Sequence, residues 1–267
     1  MARALRFDST MFFNFATRAD VLWRKEYFMD FVFGGDRDAR AFGLTKITPE
    51  ITVAYDVDGL RFLNYAIGSL VTGTVVTSDL IQLSTISCNV DGEIAGIRDA
   101  KIDTWEITVE EGNPVKAEFT AIGKDTTVAG PATYSSDFTS PVLMPSSCTI
   151  KIGTNTIDFS LFSMRVNNNI ETIFKSGTVP STLRPGGLEI GGRIRVPNYY
   201  YANVTDGSLT AQFGTIGTIV ISTAKITEIP PRVTGYDLPE TEFAWSGFPG
   251  GSGTPTVRAI LGNTFLW

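Results

Sequence analysis

Histidine is absent from the 267-residue chain. That removes Ser-His-Asp and Cys-His triads, HExxH zinc sites and the usual proton shuttle near neutral pH. Cysteine is scarce too: Cys88 and Cys148 stand far apart, each after a serine, with no CxxC spacing. A redox motif or thiolate metal site is not expected. The two thiols can bridge or stay separate and buried, and the second is the expectation. No apolar run approaches the ~20 residues a membrane helix needs, so insertion into a bilayer is not expected. The aromatic-rich start, MFFNFATRADVLWRKEYFMDFVF, is broken by Arg18, Asp20, Arg24, Lys25 and Glu26 and has no small-residue cleavage site. It reads as a buried or docking segment, not a signal peptide. A basic surface is missing as well. With 22 Lys+Arg against 28 Asp+Glu the net charge is −6, the wrong sign for holding nucleic acid.

Carboxylate chemistry survives these exclusions, as in glycosidases. The candidate pairs are Glu110 with Glu111 and Glu240 with Glu242. Acids in such positions on strands and turns are ordinarily solvated faces. RPGGLEIGGRI lacks the GK[ST] ending of a phosphate loop, and FPGGSGTP has linker composition. Asn203-Val204-Thr205 fits a glycosylation pattern without a secretory context. Tyr199–Tyr201 could stack a sugar or base, yet strand aromatics more often pack a core or an interface. No catalytic residue, cofactor or metal is expected.

What the chain has is strand grammar. The runs 47–55, 101–110, 115–123, 156–166, 191–197, 218–229 and 241–247 alternate apolar with polar residues, the mark of half-buried antiparallel strands. DG, EGNP, RPGG, TDG and PGGSG punctuate them. The composition, 43% apolar and 19% charged, suits a globular core. The expected fold is mainly β, an antiparallel sandwich or barrel. One amphipathic helix is expected over about 58–72, where Leu60, Leu63, Ile67 and Leu70 share a face, Asp58 caps and Gly73 terminates. A helix over 206–214 has only weak spacing in its favour.

Within RVNNNIETIFKSG (165–177), three asparagines interrupt an extended run. Asparagine is poor inside a ladder and good at bends and left-handed positions. Two readings stand side by side. Asn167, Asn168 and Asn169 bend a strand out of the domain so that Ile173, Phe174, Arg184 and Pro185 reach a neighbouring subunit, or they form a bulge inside one subunit.

The order of these pieces resembles the tail tube, or major tail, proteins of long-tailed bacterial and archaeal viruses. The stretches carrying the resemblance are KITPEITVAYDVDGLRFLNYAIGSL, AEFTAIGKD, GYDLPETEFAWSG and above all CTIKIGTNTIDFSLFSMRVNNNIETIFKSGTVPSTLRPGGLEIGGRIRVP. It covers about residues 45–250, leaving an N-terminal arm or docking segment over 1–44 and an extension over 251–267. A duplication of two halves, about 45–125 and 146–250, fits their similar order. The resemblance implies a β-sandwich flanked by a helix and six copies in a ring lined by a shared β-barrel. It also implies stacked rings forming a conduit for viral DNA, which passes without specific binding. Its implied partners are the protein itself and other tail proteins (tape measure, tail terminator, baseplate or tip). Its implied place is the virion tail, after assembly in the host cytoplasm. A tube of a contractile injection system is a variant of this reading. The contrasting class is a monomeric carbohydrate-binding or adhesion sandwich with Tyr199–Tyr201 and Trp245 as its platform.

Overall fold

A computed structural model describes residues 4–7, 11–13, 16–30, 41–60, 63–68, 70–71, 74–76, 80–90, 93–127, 142–197, 204–228, 240–249 and 257–261. The chain opens with β1 (Ala4–Phe7), β2 (Met11–Phe13), β3 (Ala16–Asp30) and β4 (Ala41–Asp56), followed by a short helix, α1 (Leu63–Ile67). Next come β5 (Leu70–Val71), β6 (Thr74–Val76), β7 (Leu83–Val90), β8 (Glu93–Glu110), β9 (Lys116–Ile122) and β10 (Asp125–Thr127). A 3-10 turn at Pro145–Ser147 leads into β11 (Cys148–Ile152), β12 (Asn155–Ile157), β13 (Leu161–Asn167), β14 (Glu171–Ile173) and β15 (Thr182–Arg184). The last strands are β16 (Glu189–Pro197), β17 (Gly207–Phe213), β18 (Gly217–Glu228), β19 (Glu240–Phe248) and β20 (Val257–Leu261).

Every strand pairing among the described residues is antiparallel. Following hydrogen-bonded neighbours gives one continuous path, β3-β4-β9-β8-β13-β16-β19-β18-β17-β11-β12. The first half of β18 also takes β20, which leads on to β6 and β5. The first half of β8 belongs elsewhere: it pairs with β7 and β10, and β7 with β1. β14 and β15 form a separate two-stranded ribbon. The strand alternation read from the sequence is what builds this. In β9, Ala117, Phe119 and Ala121 are buried while Lys116 and Glu118 stay exposed. Phe162, Met164 and Val166 of β13 do the same beside them. The apolar faces of all these strands meet in one cluster. At its centre Phe162 stacks on Trp245 with centroids 6.2 Å apart and planes 7° from parallel. Such a pair adds roughly 0.5–1.5 kcal/mol beyond its buried area. Trp105 donates its indole N–H to the Tyr55 hydroxyl at 3.2 Å, so this buried polar pair is satisfied.

The helix corrects the sequence reading. Its described span is Leu63–Ile67, and Leu70 already belongs to a strand. Asp58 lies too far ahead of Leu63 to cap it. The Gly68 N–H closes the last turn onto the Asn64 carbonyl at 2.9 Å. Gly68 then takes φ 151°, which suits a residue without Cβ. Beyond it Leu70 and Val71 pair with Val75 and Thr74, since a β-branched run favours extended backbone. Leu60, Leu63 and Ile67 are buried, but Leu60 precedes the described helix and Leu70 follows it in a strand, so the four do not share one helical face. The stretch after the second DG is a strand, β17. Gly73, Asn203 and Tyr199–Tyr201 lie outside the described residues. β4 continues through position 45, where its pairing with β3 shifts register and leaves Thr45 bulged, and β20 adds a strand from the C-terminal stretch.

The glycine pair in RPGGLEIGGRI, which fits no phosphate loop, has a packing role. Gly191 and Gly192 sit in β16 between β13 and β19. A Cβ on Gly192 would fall 1.9 Å from the Ser163 carbonyl oxygen and 3.0 Å from the Trp245 ring. Gly192→Ala therefore forces two strands apart beside the Phe162–Trp245 stack, where overpacking costs about 1–3 kcal/mol or more. Gly187, with nothing within 4 Å of a built Cβ, serves as the control. Thermal melts should show Gly192→Ala several degrees below Gly187→Ala, and equal midpoints would refute this account of the glycine.

Candidate assembly surface

The asparagine bend is built against a defect in β8. Strand pairing between β8 and β9 shifts register between Ile102 and Thr104, which leaves Asp103 as a bulged residue. A bulge turns local backbone groups away from the ladder, and they need other partners. Asn168 supplies them. Its backbone N–H donates to the Asp103 carbonyl at 2.8 Å. Its side-chain amide donates to the carbonyls of Ile102 and Ala66, both at 2.9 Å. Asn168 is 3% exposed, so one buried amide ties β13, the β8 bulge and the end of α1 together. The Asp103 carboxylate in turn accepts from the Ile170 N–H at 2.8 Å.

The two flanking asparagines shape the exit. Asn167 closes β13 and its amide donates to Glu189 at 3.2 Å. Asn169 adopts φ 49°, a left-handed conformation that asparagine tolerates better than most residues. Its amide donates to the Gly187 carbonyl at 2.9 Å, pinning the return of the loop beside its departure. Between these points β14 and β15 form a small ribbon in which Glu171 opposes Arg184 and forms an ion pair with it. Ile173, Phe174 and Pro185 are half-buried, and Arg184 is exposed. The Ile47 N–H donates to the Thr178 carbonyl at 2.7 Å, and Lys46 lies 5.2 Å above the Phe174 ring. The loop therefore leans on β4. The bulge read from the asparagines lies in β8 at Asp103, and no register shift interrupts β13 between Leu161 and Asn167.

That stretch of β4 belongs to an arm. β4 pairs with β9 only from Glu50 to Asp56, while its pairing with β3 continues to Ala41. Residues 41–48 and 24–30 thus extend past the body as a two-stranded ribbon, roughly 25 Å long at ~3.3 Å per residue. Leu22, Trp23, Tyr27 and Leu44 are exposed at its base and along it. Burial of this segment within its own chain, one of the readings above, does not occur at these positions. The alternation of charges with aromatics in ADVLWRKEY was the available signal: both faces are mixed, so neither suits a core.

The body also presents a polar face, opposite the core, on β4, β9, β8, β13, β16 and β19. Register aligns its side chains in rows across the strands. One runs Glu242-Arg195-Leu161-Glu110, and the next Arg193-Ser163-Thr108-Lys116-Asp56. A third runs Arg165-Glu106-Glu118-Ala54, and a fourth Glu189-Asn167-Thr104-Thr120-Thr52, with the paired Arg18 and Asp20 of β3 beyond them. Acids outnumber bases six to four in the rows on these six strands, and Arg18 and Asp20 of β3 add one of each. Arg193 and Arg195 both reach Glu242, at 3.1 and 2.9 Å. Glu242 is thus engaged in ion pairs, while Glu110 and Glu111 are exposed where β8 runs into its turn.

Trp245 is 2% exposed and stacked in the core, which removes it from any sugar platform. Cys148 is a free thiol, and burial pushes its pKa up to about 11, the opposite of an activated nucleophile. Among the described residues no cluster of three or more His, Cys, Asp or Glu could hold a metal, and no helix is long and apolar enough to cross a membrane.

Among the described residues the chain is mainly antiparallel β, with an exposed apolar ribbon and a bend whose buried polar groups are paired, features that suit a subunit meeting other copies. The model of the phage tail tube protein family matches residues 32–256, and the chain belongs to that family. The match begins before the stretch that carries the resemblance and takes in the whole of β4. No curated protein matches the chain. The family is structural, not enzymatic, and its place is the viral tail, where the protein associates with itself and with other tail components.

The bend should be testable apart from assembly. Asn168→Ala orphans two buried carbonyls, at about 1–3 kcal/mol each, so the monomer's melting midpoint should fall by roughly 5–15 °C. Asn169→Gly preserves the left-handed backbone and should cost under about 1 kcal/mol. If calorimetry ranked these two the other way, Asn168 would not be the anchor.

Proposed function

We propose that this subunit closes into rings, six copies to a ring, which stack into a hollow conduit for delivery of the viral genome. The single observation that carries this is the β3–β4 arm. A lone two-stranded ribbon is marginally stable in water at best, and this one displays Trp23, Tyr27 and Leu44 instead of burying them. β3 has β4 as its only strand partner among the described residues, so a long sheet margin is open to pairing with another copy. Ring closure removes such margins. The β14–β15 loop, from Asn169 to Pro185, stands next to the arm and is proposed to reach the same neighbour. Tape-measure, terminator and tip proteins are the proposed further partners, and assembly is proposed to occur in the host cytoplasm.

The polar face over β4, β9, β8, β13, β16 and β19 is the proposed lumen wall. Its excess of acids repels phosphate, so DNA slides without being held. A monomeric sugar-binding module is disfavoured because Trp245 is sealed in the core.

Electron microscopy of concentrated purified protein tests the assembly: rings or hollow filaments are expected, and monomers at every concentration would refute it. The wall assignment has its own test. Thr104→Lys with Thr108→Lys should slow DNA ejection from assembled virions, most at low ionic strength. Ejection kinetics identical to wild type in low salt would remove this face from the lumen.

A further inference from the structure

The arm and one particular hollow lie at opposite ends of the same sheet. β4 leaves β9 at the Ile122 end, where β8 begins its shared run at Lys101. β8 then travels away from the arm to Glu110, roughly 30 Å along the strand. The turns beyond Glu110 are therefore at the far end of the molecule. There a concavity of about 440 Å³ opens between the β8–β9 turn, the 3-10 turn and β12. Met144, Pro145, Ile157 and Phe159 give it apolar walls, and Glu111 and Asp158 are the only charged residues lining it among those described. Met144 stands 44% exposed at its lip.

We infer that this hollow receives Trp23 from the arm of a second copy, head to tail, with Lys25 meeting the acidic lip. Trp23 is 52% exposed, and an indole anchored in a desolvated pocket is the usual centre of a tight contact. Lys25 follows it on the same strand. The hollow offers two acids and no base among the described residues, so the charges are complementary. The two surfaces are unlike and lie at opposite ends, so the contact is heterologous. It does not close on itself as a two-fold dimer; directed along the strands, it joins one ring to the next, and ring closure is left to the β3 margin. This inference rests on the tube reading above and names the contact that joins successive subunits along the strand direction.

Cys148 lines the hollow, which provides a direct test. Trp23→Cys protein is assembled and then oxidised with copper–phenanthroline. Each contact should release two thiol protons to solvent, give two electrons to the oxidant and form a disulfide between the introduced thiol and Cys148 of the next copy. Non-reducing gels should then show a ladder of linked subunits, which Cys148→Ser abolishes. Because Trp23→Cys can itself block assembly, the charges supply a second arm. Lys25→Glu and Glu111→Lys should each raise the concentration needed for assembly about tenfold, and the double reversal should restore it. If wild-type protein forms tubes while no ladder appears and both single reversals assemble normally, the docking is wrong and the tube reading stands. If wild-type protein forms no assembly at all, both fall together.

Discussion

The amide of Asn168 is the contact on which the outer architecture hangs. A bulge in β8 frees the carbonyls of Ile102 and Asp103 from the ladder, and the end of α1 leaves that of Ala66 without a strand partner. One residue answers all three, two through its side chain and one through its backbone N–H. Its near-total burial makes the arrangement stringent, because a buried carbonyl without a donor costs far more than an ordinary hydrogen bond contributes. With that knot tied, β13 ends where it does and the chain turns out of the sheet. The β14–β15 ribbon then lies against β4 instead of continuing the ladder. The loop is rich in Ser, Gly and Pro, yet both its ends are fixed.

The core and the surface features depend on each other through β8. Its second half carries Trp105, Ile107 and Val109 inward and Glu106 and Thr108 outward. It is flanked by β9 and β13, so any disturbance of its register would reverse which residues meet the core. The first half instead pairs with β7 and β10. The change of partners falls near Asp99, at φ 49°, and the Asp103 bulge, where bending is cheapest. One strand thus spans two pairing environments, and the bend is anchored where they meet.

Much of this was legible from the residues alone. Period-two alternation marked the strands and their buried faces, since a half-covered sheet leaves no other economical pattern. The asparagines announced a departure from the ladder. Their division of labour was not legible, because which of three adjacent amides is buried depends on carbonyls sixty or more positions away. Asp103 could have been flagged, as an aspartate inside KIDTWEITVE sits poorly in a strand. The helix was overextended because Leu70 keeps helical spacing while belonging to a β-branched hairpin, and pairing prevailed over periodicity. Gly192 stood in a glycine-rich stretch that fits no phosphate loop and so had no role to read. Only the approach of the Ser163 backbone and the Trp245 ring reveals it as a space-saving residue. The arm was legible in part: charges interleaved with aromatics in ADVLWRKEY argued against a core, but nothing in the residues says what an exposed strand meets instead.

The placement of arm and loop at one end of β8, with the turns at the other, gives the molecule a front and a back. Any filament built by repeating one contact between such units has two unlike tips, one offering ribbons and the other hollows. Nucleation and capping then require different complementary surfaces, and polymerisation acquires a direction without any chemical energy being spent to impose it.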